Sequence, residues 1–115
     1  MLTVPAATPK GGEVLQEKQV PFEGRVVQVV LFFPAGCQGT TGVFITKNGE
    51  HAFPYEDGTD VALDDTTQDF EADISVSRGD KVQLRGNNSD TNSHTIRAVV
   101  TVVTEEKAFS TVARP

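Results

Sequence analysis

The sequence predicts an all-β fold, an antiparallel β-sandwich of jelly-roll or immunoglobulin-like type, with six to eight strands and extended N- and C-terminal arms. Three observations carry this. Short runs rich in Val, Ile, Phe and Thr alternate with polar residues at period two. Turn signals separate the runs at short intervals, among them Asn48-Gly49, Asp57-Gly58 and Arg78-Gly79-Asp80. No stretch shows a convincing helical period.

A length of 115 residues suits one domain. The expected division is an N-terminal arm over 1–21, a sandwich over 22–104 and a C-terminal tail over 105–115. Residues 1–12 hold Pro5, Pro9, Gly11 and Gly12 among small residues, which reads as an extended arm. Residues 13–20 suit a short helix or an edge strand, and Pro21 and the strand-rich context favour the strand. The run 26–33 contains only one polar side chain, Gln28, and Pro34 stops it. One face carries Val27, Val29, Leu31 and Phe33, and the other Val26, Val30 and Phe32. Both faces ask for burial, so a central strand covered on two sides is expected.

Gly36, Gly39 and Gly42 then mark a loop. Asn48-Gly49 between two alternating arms predicts a type I′ hairpin, with Val43 and Ile45 on one face and Pro54 ending the second arm. Residues 55–60 read as a polar loop and 61–63 as a short strand. Phe70, Ala72, Ile74 and Val76 alternate with Glu71, Asp73, Ser75 and Ser77, the mark of a half-solvated strand. After the turn at 78–80, Val82 and Leu84 point inward. Residues 86–93 read as a polar loop. The last strand, 94–104, puts Ile96, Ala98, Val100 and Val102 on one face, and Val99 and Val103 suggest cover on the other.

A net charge of −6 and a pI near 4.7 repel phosphate backbones, so no nucleic-acid partner is expected. The apolar runs fall far short of the roughly 20 residues a membrane helix needs, and no membrane partner is expected either. Residues 1–5 lack a basic n-region and an apolar h-region, so the reading is a soluble protein with no secretory signal. Cys37 is the single cysteine and reads as a small hydrophobe beside the loop glycines.

No motif rises above its structural explanation. Arg78-Gly79-Asp80 spells an integrin-type tripeptide, yet the flanking strands require a turn there. Asn87-Asn88-Ser89 is a glycosylation sequon in a predicted loop. Asp57, Asp60, Asp64, Asp65 and Asp69, and separately Asn87, Asn88, Asp90 and Asn92, lack the spacing of a calcium loop. His51 and His94 have no cysteine beside them to form a zinc site. Asp90, Ser93 and His94 lie too close along one strand edge for a hydrolytic triad. The expectation is therefore no enzyme, no catalytic residues, no metal and no cofactor.

The arms point to partners. Ordering backbone costs about 1–2 kcal/mol per residue, and the N-terminal arm has few apolar residues, among them Leu2, Val4, Val14 and Leu15, to offset it. Neighbouring subunits are expected to supply the rest. Leu2, Val4, Val14 and, in the tail, Phe109 are the expected anchors.

Phe33-Pro34-Ala35-Gly36-Cys37, Phe53-Pro54, Ala62-Leu63-Asp64-Asp65, Asn88-Ser89-Asp90, Ser93-His94-Thr95 and the Val-rich closing strand carry a resemblance. Over about 25–104 the chain resembles small all-β proteins encoded among the structural genes of tailed phages and archaeal tailed viruses. The resemblance implies a non-enzymatic virion component located in the particle, such as a head-decoration, turret or head–tail connecting subunit, with arms that grip its neighbours, and first of all one that decorates or stabilises a capsid. Its implied partners are the major capsid protein or other virion proteins and further copies of itself. A head–tail connector or tail component is the nearest alternative. A glycan-binding sandwich module, with Phe53 and Tyr55 as the aromatic pair, is the second.

Overall fold

The computed structural model describes residues 2–56 and 58–104. Eight strands follow one another: β1 (Leu2–Val4), β2 (Val14–Gln19), β3 (Gly24–Phe33), β4 (Thr41–Lys47), β5 (Glu50–Phe53), β6 (Thr66–Val76), β7 (Lys81–Asn88) and β8 (His94–Thr104). They form two four-stranded antiparallel sheets, ordered β1-β8-β3-β6 and β2-β7-β4-β5. The sheets face one another, and their inner side chains make one core. Val29, Leu31, Phe33 and Ile96 come from the first sheet, and Val43, Ile45, Phe53 and Leu84 from the second. This is the expected sandwich.

The strongest local signals hold. Asn48 and Gly49 both adopt positive φ, at 52° and 85°, as a type I′ turn requires. In β6 Phe70, Ala72, Ile74 and Val76 pack on the core, while Glu71, Asp73 and Ser75 face solvent.

Several expectations need correction. Of the N-terminal arm expected over 1–21, residues 2–4 and 14–19 are strands of the body. Leu2, Thr3 and Val4 pair with Ile96, Thr95 and His94, and Val14 to Gln19 pair with β7. Their backbone groups and two large apolar side chains find partners on the chain's own sheets. The central strand β3 carries a bulge between Val26 and Gln28. One extra residue reverses the alternation, so Val26 joins Val29, Leu31 and Phe33 in the core and Val27 is only half-buried. The outer side of β3 bears no second layer among the described residues. Val30 and Phe32 are half-buried there, and the Arg97 guanidinium lies over the Phe32 ring, 5.1 Å from its centroid.

The loop expected from Gly86 is strand as far as Asn88. Gly86, Asn87 and Asn88 pair with Val43, Gly42 and Thr41 of β4. The short strand expected at 61–63 reduces to one bridge, Val43 with Val61. Cover over Val99 and Val103 is also absent among the described residues: they are 42% and 41% exposed. The tail anchor Phe109 lies outside the described residues.

Candidate assembly interface

β8 has eleven residues and β1 only three. On the side away from β3, β1 covers β8 from His94 to Ile96 and no further. From Arg97 to Val103 that side has no ladder partner among the described residues. Successive residues of a strand direct their N–H and C=O alternately to either side, so among the described residues this edge presents donors and acceptors with no ladder partner.

The same place opens between the two sheets. A trough of about 430 Å³ runs along β8, walled by Val20, Val82, Leu84, Ala98, Val100 and Val102, with Gln16 and Lys18 at its β2 rim. The inner faces of Ala98, Val100 and Val102 are only partly covered. A peptide backbone laid on the β8 edge gains hydrogen bonds, and its inward side chains enter an apolar slot. That is the geometry of strand addition.

The other long edges are defended against such pairing. β6 carries Asp69, Glu71 and Asp73 facing solvent. β2 carries Glu17 and Lys18 and ends before Pro21. β5 has four residues and stops at Pro54. Charges, prolines and shortness are the usual guards of an edge. The free part of β8 has only Arg97, at its start.

A second concavity, about 480 Å³, lies on the outer face of the second sheet between the 10–13 loop, β4, β5 and β7. Phe44 stacks on His51 there, centroids 5.3 Å apart. Its polar groups are largely spent on one another. Thr46 Oγ1 donates to Gln83 Oε1 at 2.6 Å and accepts from Arg85 Nε at 3.0 Å. Gln83 Nε2 donates to Glu17 Oε1 at 2.8 Å, and Asn87 Nδ2 to Asp60 Oδ2 at 3.0 Å. This network ties β2, β4 and β7 together across their outer face.

The residues expected from sequence to touch partners do not converge. Leu2 and Val4 are core residues, Val4 with no exposure at all, and Val14 packs half-buried against the core. Tyr55 is 65% exposed, but Phe53 is buried edge-on against Phe70, so the aromatic pair for a sugar is not formed. The turn at 78–80 is structural: Asp80 Oδ2 accepts from Ser77 N, and its Oδ1 from Asn48 Nδ2. Both asparagines at 87 and 88 are buried, which closes the sequon to a glycan in the folded chain. Asp64 Oδ1 accepts from Gly36 N and Gln38 N, and His94 Nε2 lies 2.8 Å from Asp90 Oδ2. Cys37 is buried; burial first, then the Asp64 carboxylate, pushes its thiol up, away from the reactive thiolate.

The reading from sequence missed β8 as a surface because a strand apolar on both faces ordinarily marks a buried one. The available signal was the contrast in edge charges: no acidic residue falls within 94–104, against sixteen in the whole chain. No protein-family model and no curated protein matches the sequence.

Proposed function

We propose that this chain is a non-enzymatic structural subunit of a virus particle, one that decorates or stabilises a capsid and joins its neighbours along the open side of its sandwich. The observation that supports it is the undefended edge of β8 from Arg97 to Val103, set over an apolar trough. Burying that strip removes Val99 and Val103 from water and satisfies a row of backbone groups. The resemblance over 25–104 supplies the particle, with the major capsid protein or other virion proteins as partners. The joining surface moves from the expected arm residues to β8. A head–tail connector or tail position uses the same surface and the same chemistry.

The test is incorporation. Val99→Lys with Val103→Lys places two charges on side chains that are already exposed, so the body should keep its circular dichroism and Tm within a few degrees. Incorporation into particles should fall at least tenfold. Undiminished incorporation of a folded double variant defeats this assignment.

A further inference from the structure

We infer that the neighbour seated on β8 is a second copy of this chain, paired edge to edge about a two-fold axis through Thr101. The inference rests on the reading above that β8 is a joining surface, and adds the occupant and its register.

Charge permits a second copy, and the strip favours one, because Val99-Val100-Thr101-Val102-Val103 reads the same in both directions. At −6 overall, two copies repel except where acidic residues are absent, and the free run of β8 is such a place. Its single charge, Arg97, lies at one end. A two-fold axis therefore puts the two Arg97 residues at opposite ends of the pairing, far apart, with only Val, Thr and Ala between them. The same surface patch on both subunits is what a two-fold dimer uses.

Sterics and the pleat select the register. β1 already occupies the β8 edge as far as Ile96, so the partner strand must stay beyond it. Inward and outward side chains must each meet their own kind, so the two residue numbers in every opposed pair sum to an even value. A sum of 202 sets Val99 against Val103 of the second copy, Thr101 against its own equivalent, and Val100 against Val102 of the second copy. The two large apolar residues left exposed on this sheet then cover one another. A sum of 200 sets Arg97 against Val103 and leaves Val99 facing a threonine. A sum of 198 drives the second copy's strand into β1. In the 202 register the inner faces of both copies lie on the same side of one continuous sheet, β6-β3-β8-β8-β3-β6. The two troughs then meet at the axis, and Val100 and Val102 of each copy border both.

Two measurements test this on the full chain. Sedimentation from low to several hundred micromolar should show a monomer–dimer equilibrium, and Val99→Lys with Val103→Lys should abolish it while the variant stays folded. A monomer across that whole range overturns the second copy as occupant. The assembly reading stands or falls separately, by particle incorporation of the same variant. For the register, Thr101→Cys should self-crosslink on mild oxidation, because directly opposed residues of an antiparallel pair hold Cα atoms roughly 4.5–5.5 Å apart. Val99→Cys and Val103→Cys should crosslink to each other when mixed, each forming far less product alone. Cys37 is buried and does not compete. A dimer that persists in the double lysine variant, or that forms no Thr101→Cys crosslink, overturns the proposed pairing.

Discussion

Asn88 shows how one polar side chain fixes several loops at once. It is 1% exposed, one of two polar side chains, with Thr41, that are almost wholly buried where β4 meets the end of β7. Its Nδ2 donates to the Val4 carbonyl at 3.2 Å and the Asn92 carbonyl at 2.8 Å, and its Oδ1 accepts from Asp90 N at 2.9 Å. Its backbone N–H donates to Thr8 O at 2.9 Å. A buried amide is tolerated only when so satisfied, and removing it orphans each partner at about 1–3 kcal/mol per group. Nearby, Gly86 leaves room for β1: a Cβ there would lie 2.7 Å from Val4 Cγ2 and 3.1 Å from Leu2 Cδ2. Asn88→Ala is therefore expected to cost about 2–4 kcal/mol, read as a lower urea midpoint at unchanged slope. Asn88→Asp, the same shape with a charge the core cannot solvate, should cost more. A loss under about 0.5 kcal/mol for Asn88→Ala, the range of ordinary surface changes, would contradict this role.

At the scale of elements, the hairpin tip and the turn before β7 behave as one unit. Asn48 Nδ2 donates to Asp80 Oδ1, Lys81 N donates to Asn48 Oδ1, and Asn48 N donates to Lys81 O. The Ser77 backbone N–H, and then the Asn48 amide, hold the Asp80 carboxyl below its ordinary 3.8. Asp90 is lowered by the His94 ring and then by the Thr91 N–H. A carboxyl with a depressed folded pKa contributes stability that is fully present above its unfolded value and disappears as pH falls through the folded one. Urea midpoints should thus hold from pH 7 to about 5 and decline below 4, and Asp80→Asn with Asp90→Asn should flatten part of that acid limb. An identical limb in the double variant would remove both groups from the account. The hairpin was legible in the sequence because Asn48-Gly49 is a local signal, as was β6 with its clean alternation. β1 was not, because three residues carry no period and their partners lie ninety or more positions away. The end of β7 misled because Gly-Asn-Asn favours turns locally, whereas the approach of β1 demands the glycine and the asparagine amide closes the core. The bulge in β3 left no mark in an unbroken apolar run. The open edge of β8 was hidden for a related reason: alternation reveals which residues share a face, not whether anything lies over it.

Across the whole molecule, the first sheet is closed by its most distant segments. β3 lies between β6 and β8, and β1 caps the start of β8, so Leu2 sits opposite Ile96. Long-range pairings of this kind must all be in place before any is secure, which makes folding slow, on the order of milliseconds to seconds. It also makes β1 a part of the cooperative unit despite its length. Leu2 and Val4 are both buried, and truncating a buried leucine alone costs about 3–5 kcal/mol, against a total of roughly 5–15 kcal/mol for a domain. Deleting residues 1–12 should therefore leave the chain unfolded or lower its Tm by 15 °C or more, with loss of the sharp thermal transition. An arm reserved for a neighbouring subunit predicts the opposite: the same deletion would leave Tm of the isolated chain unchanged and reduce only assembly. Differential scanning calorimetry of the two chains separates these cases. An unaltered transition would mean that β1 contributes nothing to the body, and that the edge of β8 is open along its entire length.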